Sequence, residues 1–459
     1  MSLDDICSHV FAIGGTGSGK TSVLKILLID ILRRGGNGVG GIFAAVKPDE
    51  YANIHRILAE AQALDRLIHL QPGRFTYNFL SFELTKTAAG SPRTATNLLQ
   101  DLNKLLNRAG EDSGESFWAN LFAKMCEYAI QICFLAKREK VTIEDVYQFI
   151  MTSPSTFKQA GSEEFKKKSF CFDLLRLAES NLDGSSEARQ YKQAATFFLA
   201  EALQLGEKAR GAAISQVSAV ISPFLQSPLY ETVCCAESDF SPLMAINGKC
   251  VAMDFPVMAL GDGGRFLQTL ITAQVTEAAL ARPKPTHMTL VVRDELQMIT
   301  RDAAKEVADL STARSQKLAF ISGCQSIPTL QSAMGGNQAE QELHSVFSNY
   351  SIKLVLSTSC SRTAEYFSQA WGQCRDQFVS VAENKQEEEL DLLNMLTGND
   401  RLLFSVSEQL VPRCPPEAIL SLRRGGRANR LLVDAFLSQA GRTYGPDQSP
   451  FKLVTFKQI

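Results

Sequence analysis

The sequence predicts an α/β fold: a mostly parallel sheet covered by helices on both faces and interrupted by an all-α insertion. Three observations predict it. Short apolar runs alternate with helical patterns along most of the 459 residues. From about residue 84 to 205 that rhythm stops, and helical patterns follow one another. The first apolar run ends in a glycine-rich turn that opens a helix.

The runs read as strands are 9–14, 41–46, 67–70, 250–255, 288–293, 318–322 and 352–357, with one more at 402–406. Helical patterns fill most gaps between them, among them 264–281 and 302–314. In the strand-free block, "ESFWANLFAKMCEYAIQICFLAK" places Phe117, Leu121, Met125, Tyr128 and Ile132 on one stripe. "VTIEDVYQFI" opens with Thr142 and Asp145 in capping-box spacing, and "YKQAATFFLAEALQL" is a third helix. A structureless loop of that length is foreign to a compact domain. The chain is therefore divided into 1–84 and 206–459, two parts of one α/β domain, around an inserted helical domain, 85–205.

Composition narrows the function classes. A 45% hydrophobic content suffices for one large core and a second module. A net charge of −2 provides no global basic field, so any nucleic-acid binding must be local. Eleven Cys without a C-x-x-C pair, beside only five His, read as reduced cysteine rather than a disulfide framework or a zinc site. Cys234 and Cys235 are assigned to packing. No run of 18 apolar residues and no signal peptide occurs, so the chain reads as soluble. It starts only a few residues before its first strand, and the expectation is a fragment of a longer protein that carries an N-terminal membrane anchor.

The turn after the first strand is "GGTGSGKTS", Gly14, Gly15, Thr16, Gly17, Ser18, Gly19, Lys20, Thr21 and Ser22, a complete G-x-x-x-x-G-K-[ST]. Val23, Leu24, Leu27, Leu28, Ile31 and Leu32 then recur at helical spacing. Glycines let successive backbone N–H groups turn inward on phosphate oxygens, and the helix N-terminus adds its positive end. Lys20 is expected on the β- and γ-phosphates and Thr21 on Mg²⁺, so ATP with Mg²⁺ is the expected ligand.

A nucleotide-hydrolysing site of this kind needs a carboxylate on the metal shell and often a second to orient water. "MTLVVRDELQMI" is an apolar strand ending in Asp294 and Glu295, which take those roles, with Asp294 beside Thr21 on the metal. Arg293 breaks the apolar run and is expected at a sheet edge. Gln325 stands just past the next strand, where its amide can face the γ-phosphate. Arg314, at the end of the helix between these strands, fits two roles by spacing: a cap on its own helix C-terminus, or an arginine finger reaching a neighbouring subunit's nucleotide.

The succession of the P-loop, "VKPDEY", "LQPGRFTYNFL", "RDELQ", "STARSQKLAFISGCQS" and "FSNYSIKLVLSTSCSRTAEYFSQAWG" resembles the TraD/TraG coupling proteins of conjugation and type IV secretion. The most specific part is Asn349 and Lys353, followed by Thr363 to Ser368 and Gly372. The resemblance implies a RecA-like P-loop ATPase with an inserted all-α domain. It further implies a homo-hexamer at the cytoplasmic face of the bacterial inner membrane that moves DNA or delivers secreted proteins, with adaptor proteins and channel components as partners. By the same resemblance Lys20, Thr21, Asp294, Glu295 and Gln325 carry hydrolysis, and Arg314 acts as the finger in trans.

Two other readings share parts of this pattern. One is a HerA/FtsK-like DNA translocase outside secretion; the other is a nucleotide-gated receptor whose helical module binds effectors or adaptors. "SLRRGGRANR" clusters Arg423, Arg424, Arg427 and Arg430, read either as a solvated loop or as a phosphate-contacting patch on DNA in an assembled ring.

Overall fold

The computed structural model describes residues 2–86, 91–106, 115–300, 303–334, 339–383 and 402–458. Its contacts divide the chain into two units, one holding residues up to 13 and 20–353, the other residues 14–19 and 354–458.

The first unit is built on β1 (Val10–Ile13), β2 (Val39–Ala45), β3 (Leu67–Leu70), β4 (Cys250–Asp254), β5 (Met288–Arg293) and β6 (Leu318–Cys324). Their order is β1-β6-β5-β2-β4-β3, and each strand pairs parallel with its neighbour. Strands β1, β2, β5 and β6 are buried throughout, as continuous apolar runs in a covered parallel sheet should be. Because all run the same way, Ala44 lies opposite Arg293, Arg293 opposite Ser322, and Ala12 opposite Gly323. The residues that follow these strands therefore emerge on one edge of the sheet.

The helix Lys20–Gly35 buries Val23, Leu24, Leu27, Leu28, Ile31 and Leu32, the stripe its spacing predicts. It ends where Gly36 takes φ 50°, a left-handed conformation that costs glycine little. The pattern expected at 302–314 is the helix Ala303–Ala313; Asp302 lies outside the described residues. The pattern expected at 264–281 begins earlier, in Val257–Leu280, and is broken at Gly261, φ 56°.

No strand occurs between β3 and β4 among the described residues, so the helical run is longer than predicted, extending from Phe79 to Ile246. Its centre is the helix Glu115–Lys137, packed against Pro92–Leu106, Phe170–Ser180, Gly184–Thr196 and Glu207–Ile221. Surrounded in this way, it buries Phe122, Cys126, Ile130 and Cys133 as well as Leu121, Met125 and Ile132, so a single stripe understates its burial. Phe117, assigned to that stripe, is 53% exposed instead. Thr142 and Asp145 form the predicted capping box. The third predicted helix is Gly184–Thr196, continued by a π-turn over Phe197–Glu201 that buries Phe197 and Phe198.

Arg293 corrects an expectation. It lies on β5, inside the sheet between β2 and β6, and is 2% exposed. Its guanidinium donates to Glu306 at 2.7 and 3.0 Å, to Ser322 Oγ at 3.3 Å and to Tyr350 Oη at 3.2 Å. Burial opposes the charge, but Glu306 and Tyr350 more than offset it and hold the guanidinium above its ordinary range. An arginine tolerates the interior only in such a fork-to-fork pairing.

In the second unit the order is β11-β10-β7, formed by the end of β7 (Ile352–Leu356) with β10 (Leu432–Gln439) and β11 (Phe451–Lys457). The last two pair antiparallel. The run predicted at 402–406 falls in β9 (Leu402–Pro412), which joins β8 (Gln373–Glu383) in a separate antiparallel ribbon rather than extending the main sheet. Trp371 holds the hairpin from one side, its ring centroid 4.5 Å from Phe451 and 5.7 Å from Phe436.

Truncating one partner of a buried pair strands the other's charge, at a cost of about 3–5 kcal/mol. Urea denaturation of Glu306→Ala is expected to show a loss of that size, and the double replacement Arg293→Met with Glu306→Leu to be less damaging than the single one.

Candidate functional site

The carboxyl edge of the first unit's sheet gathers Lys20, Thr21, Asp294, Glu295 and Gln325. Lys20, the first residue of its helix, is 7% exposed, with Nζ 3.8 Å from both Asp294 Oδ1 and Glu295 Oε2. Thr21 Oγ1 donates to Asp294 Oδ2 at 2.6 Å. Asp294 Oδ1 is buried and accepts no hydrogen bond. Burial raises the Asp294 carboxyl above its ordinary value despite Lys20 and Thr21. An incompletely satisfied buried carboxylate beside a threonine hydroxyl fits a hard divalent cation with oxygen ligands.

Glu295 is 4% exposed and accepts from Lys47 Nζ and from the Gln297 side-chain amide. Burial raises its carboxyl, but Lys20 and the Lys47 bond outweigh that and hold it below the ordinary value. Gln325, one residue past β6, approaches Glu295 Oε2 through Nε2 at 3.5 Å, a long contact. The neighbouring Gly323 makes room: a Cβ there would lie 2.6 Å from Asp294 Oδ1.

Sequence reasoning did not single out Lys47, Glu50 or Gln297. Glu50 accepts from the N–H groups of Val46 at 2.6 Å and Lys47 at 3.1 Å, fastening the turn that presents Lys47. Burial pushes the Glu50 carboxyl up to about 7, helped by Asp294 and opposed by the two N–H bonds. The signal available was position alone: "VKPDEY" follows β2, whose end lies level with β5. Gly323, a glycine inside an apolar strand, carried the usual mark of a close backbone approach.

Arg314 is not brought to this edge. It follows the helix Ala303–Ala313 and precedes β6, so it sits at the strand's amino end, exposed. Its carbonyl accepts from Lys317 N–H at 3.1 Å.

In the second unit, Gly15 N–H donates to Ser357 C=O and Ser18 N–H to Gly15 C=O, each at 3.0 Å. Gly19 has φ 91°, and a Cβ on it would lie 2.6 Å from Val433 Cγ2, so conformation and space both require glycine. Among the described residues, the N–H groups of Thr16, Gly17 and Gly19 meet no acceptor, and Ser18 Oγ is buried without a partner. Such a loop is stocked with donors for an anion. Ser22 follows Thr21, half-buried. Of the arginine cluster, Arg423 forks onto Asp434 at 2.6 and 2.8 Å, which makes it a structural ion pair.

Removing the Lys47 charge takes away one of the groups that depress Glu295. In Lys47→Met the Glu295 carboxyl is therefore expected to titrate at higher pH, as carboxyl NMR would follow. A contact that only supports the turn would leave that titration in place.

Residues 288–412 match the family described as the TraM recognition site of TraD and TraG. No curated protein sequence matches the chain. In fold, the chain is similar to the unbound bacterial conjugative coupling protein TrwBdeltaN70, at 18% identity and TM-score 0.63, covering 99% of this chain and 86% of that one. It is likewise similar to the plasmid coupling protein TrwB in complex with ADP and Mg²⁺, at 18% identity and TM-score 0.60, covering 100% and 87%. A third is TrwB with a non-hydrolysable ATP analogue, at 18% identity and TM-score 0.62, with the same coverage. These likenesses show the RecA-like α/β fold with its helical insertion. Residues 288–412 thus match a family model drawn from TraD and TraG, and the chain as a whole shares its fold with the TrwB coupling proteins.

Proposed function

We propose that the chain is a Mg²⁺-dependent ATPase that recruits DNA and/or secreted proteins and drives them into a type IV secretion channel. The observation that carries this reading is the convergence of Lys20, Thr21, Asp294 and Glu295 at one sheet edge, in a chain with a coupling-protein fold. Gly14 to Gly19 cradle the phosphates with backbone N–H groups, and Lys20 neutralises the β- and γ-oxygens. Thr21 Oγ1 and Asp294 would hold Mg²⁺, which would supply charge neutralisation on the transferred phosphoryl group. Glu295 orients the attacking water and accepts its proton once Lys47 yields the carboxylate. Gln325, beside Glu295, contacts the γ-phosphate and reports its presence.

Residues 85–205 form the substrate- or adaptor-contacting helical domain between two parts of the nucleotide-binding domain, 1–84 and 206–459. The active assembly is a homo-hexamer at the cytoplasmic face of the inner membrane. The position of Arg314, away from its own chain's acidic pair, suits a finger offered to a neighbouring subunit. Among the described residues no helix is long and apolar enough to cross a membrane.

Mg²⁺-ATPase assays with DNA and, separately, with secreted proteins test the role and identify which substrate stimulates turnover. Lys20→Ala is expected to abolish hydrolysis and weaken ADP binding. Glu295→Gln should keep nucleotide binding and lose about 10²–10⁴-fold in turnover. An arginine finger is worth about 10³–10⁵ in rate, so turnover per subunit should climb with protein concentration. Mixing inactive Arg314→Ala with inactive Glu295→Gln subunits should restore part of the activity; a flat rate and no recovery would mark Arg314 as a local helix cap.

A further inference from the structure

We infer that Arg424 is a nucleotide ligand supplied by the same chain, with its guanidinium directed at the phosphates held by the glycine loop. The inference rests on the nucleotide-binding reading above and adds to it a residue outside the P-loop and the acidic pair. Within the second unit, Arg424 Nε donates to Ser357 Oγ at 3.0 Å, and Ser357 is the residue whose carbonyl receives the Gly15 N–H. Arg424 also forms an antiparallel bridge with Val433, whose side chain packs on Gly19. Both ends of the loop are thus tied to residues that hold Arg424.

The rest of its surroundings fit an anion. Arg423 spends its charge on Asp434, whereas Arg424 has no carboxylate partner among the described residues, and its two Nη groups make no hydrogen bond. It is exposed, so its charge is not held by burial. Among the described residues, the nearby loop offers three N–H groups without acceptors and a buried Ser18 hydroxyl without a partner. A guanidinium fixed through Nε presents its Nη edge in the geometry that matches phosphate oxygens.

The test compares wild type, Arg424→Gln, Ser357→Ala and Lys20→Ala by calorimetric binding of Mg²⁺-ADP and of inorganic pyrophosphate, with thermal melting of the unliganded protein alongside. Arg424→Gln keeps a donor for Ser357 and removes the charge. It is expected to weaken both ligands about 10- to 100-fold, with an unchanged melting temperature and a flatter dependence of affinity on salt. Ser357→Ala, which frees the guanidinium, should give a smaller loss in the same direction. Unchanged affinity in Arg424→Gln, while Lys20→Ala loses binding, overturns the inference and leaves the nucleotide site intact. Weakened ADP with unchanged pyrophosphate overturns contact with the phosphates. A melting temperature that falls with no change in affinity makes Arg424 a structural tether. Wild type failing to bind either ligand removes the nucleotide-binding reading itself.

Discussion

Asp294 is the residue on which the site turns. Its carboxylate is held at the end of an interior strand, takes the Thr21 hydroxyl at 2.6 Å and faces Lys20 at 3.8 Å. One acid thereby couples the start of the first long helix to the middle of the sheet. The approach is close enough that the neighbouring strand must carry glycine at 323. The preceding residue, Arg293, is locked to Glu306 beneath, so the strand end cannot slide without breaking a buried ion pair.

The two acids, adjacent in sequence, sit in opposite electrostatic regimes. Burial dominates at Asp294 and pushes its carboxyl up; at Glu295 the same burial is overcome by Lys20 and Lys47, and the carboxyl is held down. The difference follows from where each side chain points: Asp294 retains one oxygen without a hydrogen bond, while Glu295 is met by cation and amide on several sides. A metal suits the first environment. The second keeps the Glu295 carboxylate ionised but occupied by Lys47 and Gln297.

The helical run answers a packing problem. The helix Glu115–Lys137 is apolar over most of its circumference, and a lone helix of that kind has no stable place in water. Neighbouring helices, Ile143–Met151 among them, cover it. In the second unit, the ribbon of β8 and β9 leaves Val379 and Val406, directly opposite each other, about 60% exposed (60% and 61%). The hairpin of β10 and β11 instead gains cover from Trp371.

Periodicity and local motifs determined much of this protein. Apolar runs marked the six parallel strands of the first unit because a strand buried on both faces has no polar alternation to hide behind. The capping box at Thr142, the stripe of Lys20–Gly35 and the pairing of P-loop with Asp294 and Glu295 were legible because each is written in residues a few positions apart, or in a motif whose chemistry demands a partner. The antiparallel strands β8, β10 and β11 were not, since their half-exposed residues carry no continuous apolar run and their pairing is set by distant neighbours. Arg293 looked like an edge residue because only the tertiary structure supplies Glu306, Ser322 and Tyr350 around it. Lys47, Glu50 and Gln297 became visible for the same reason. Parallel register brings the ends of β2, β5 and β6 level, and which side chains then meet across strands more than two hundred residues apart is decided by the fold.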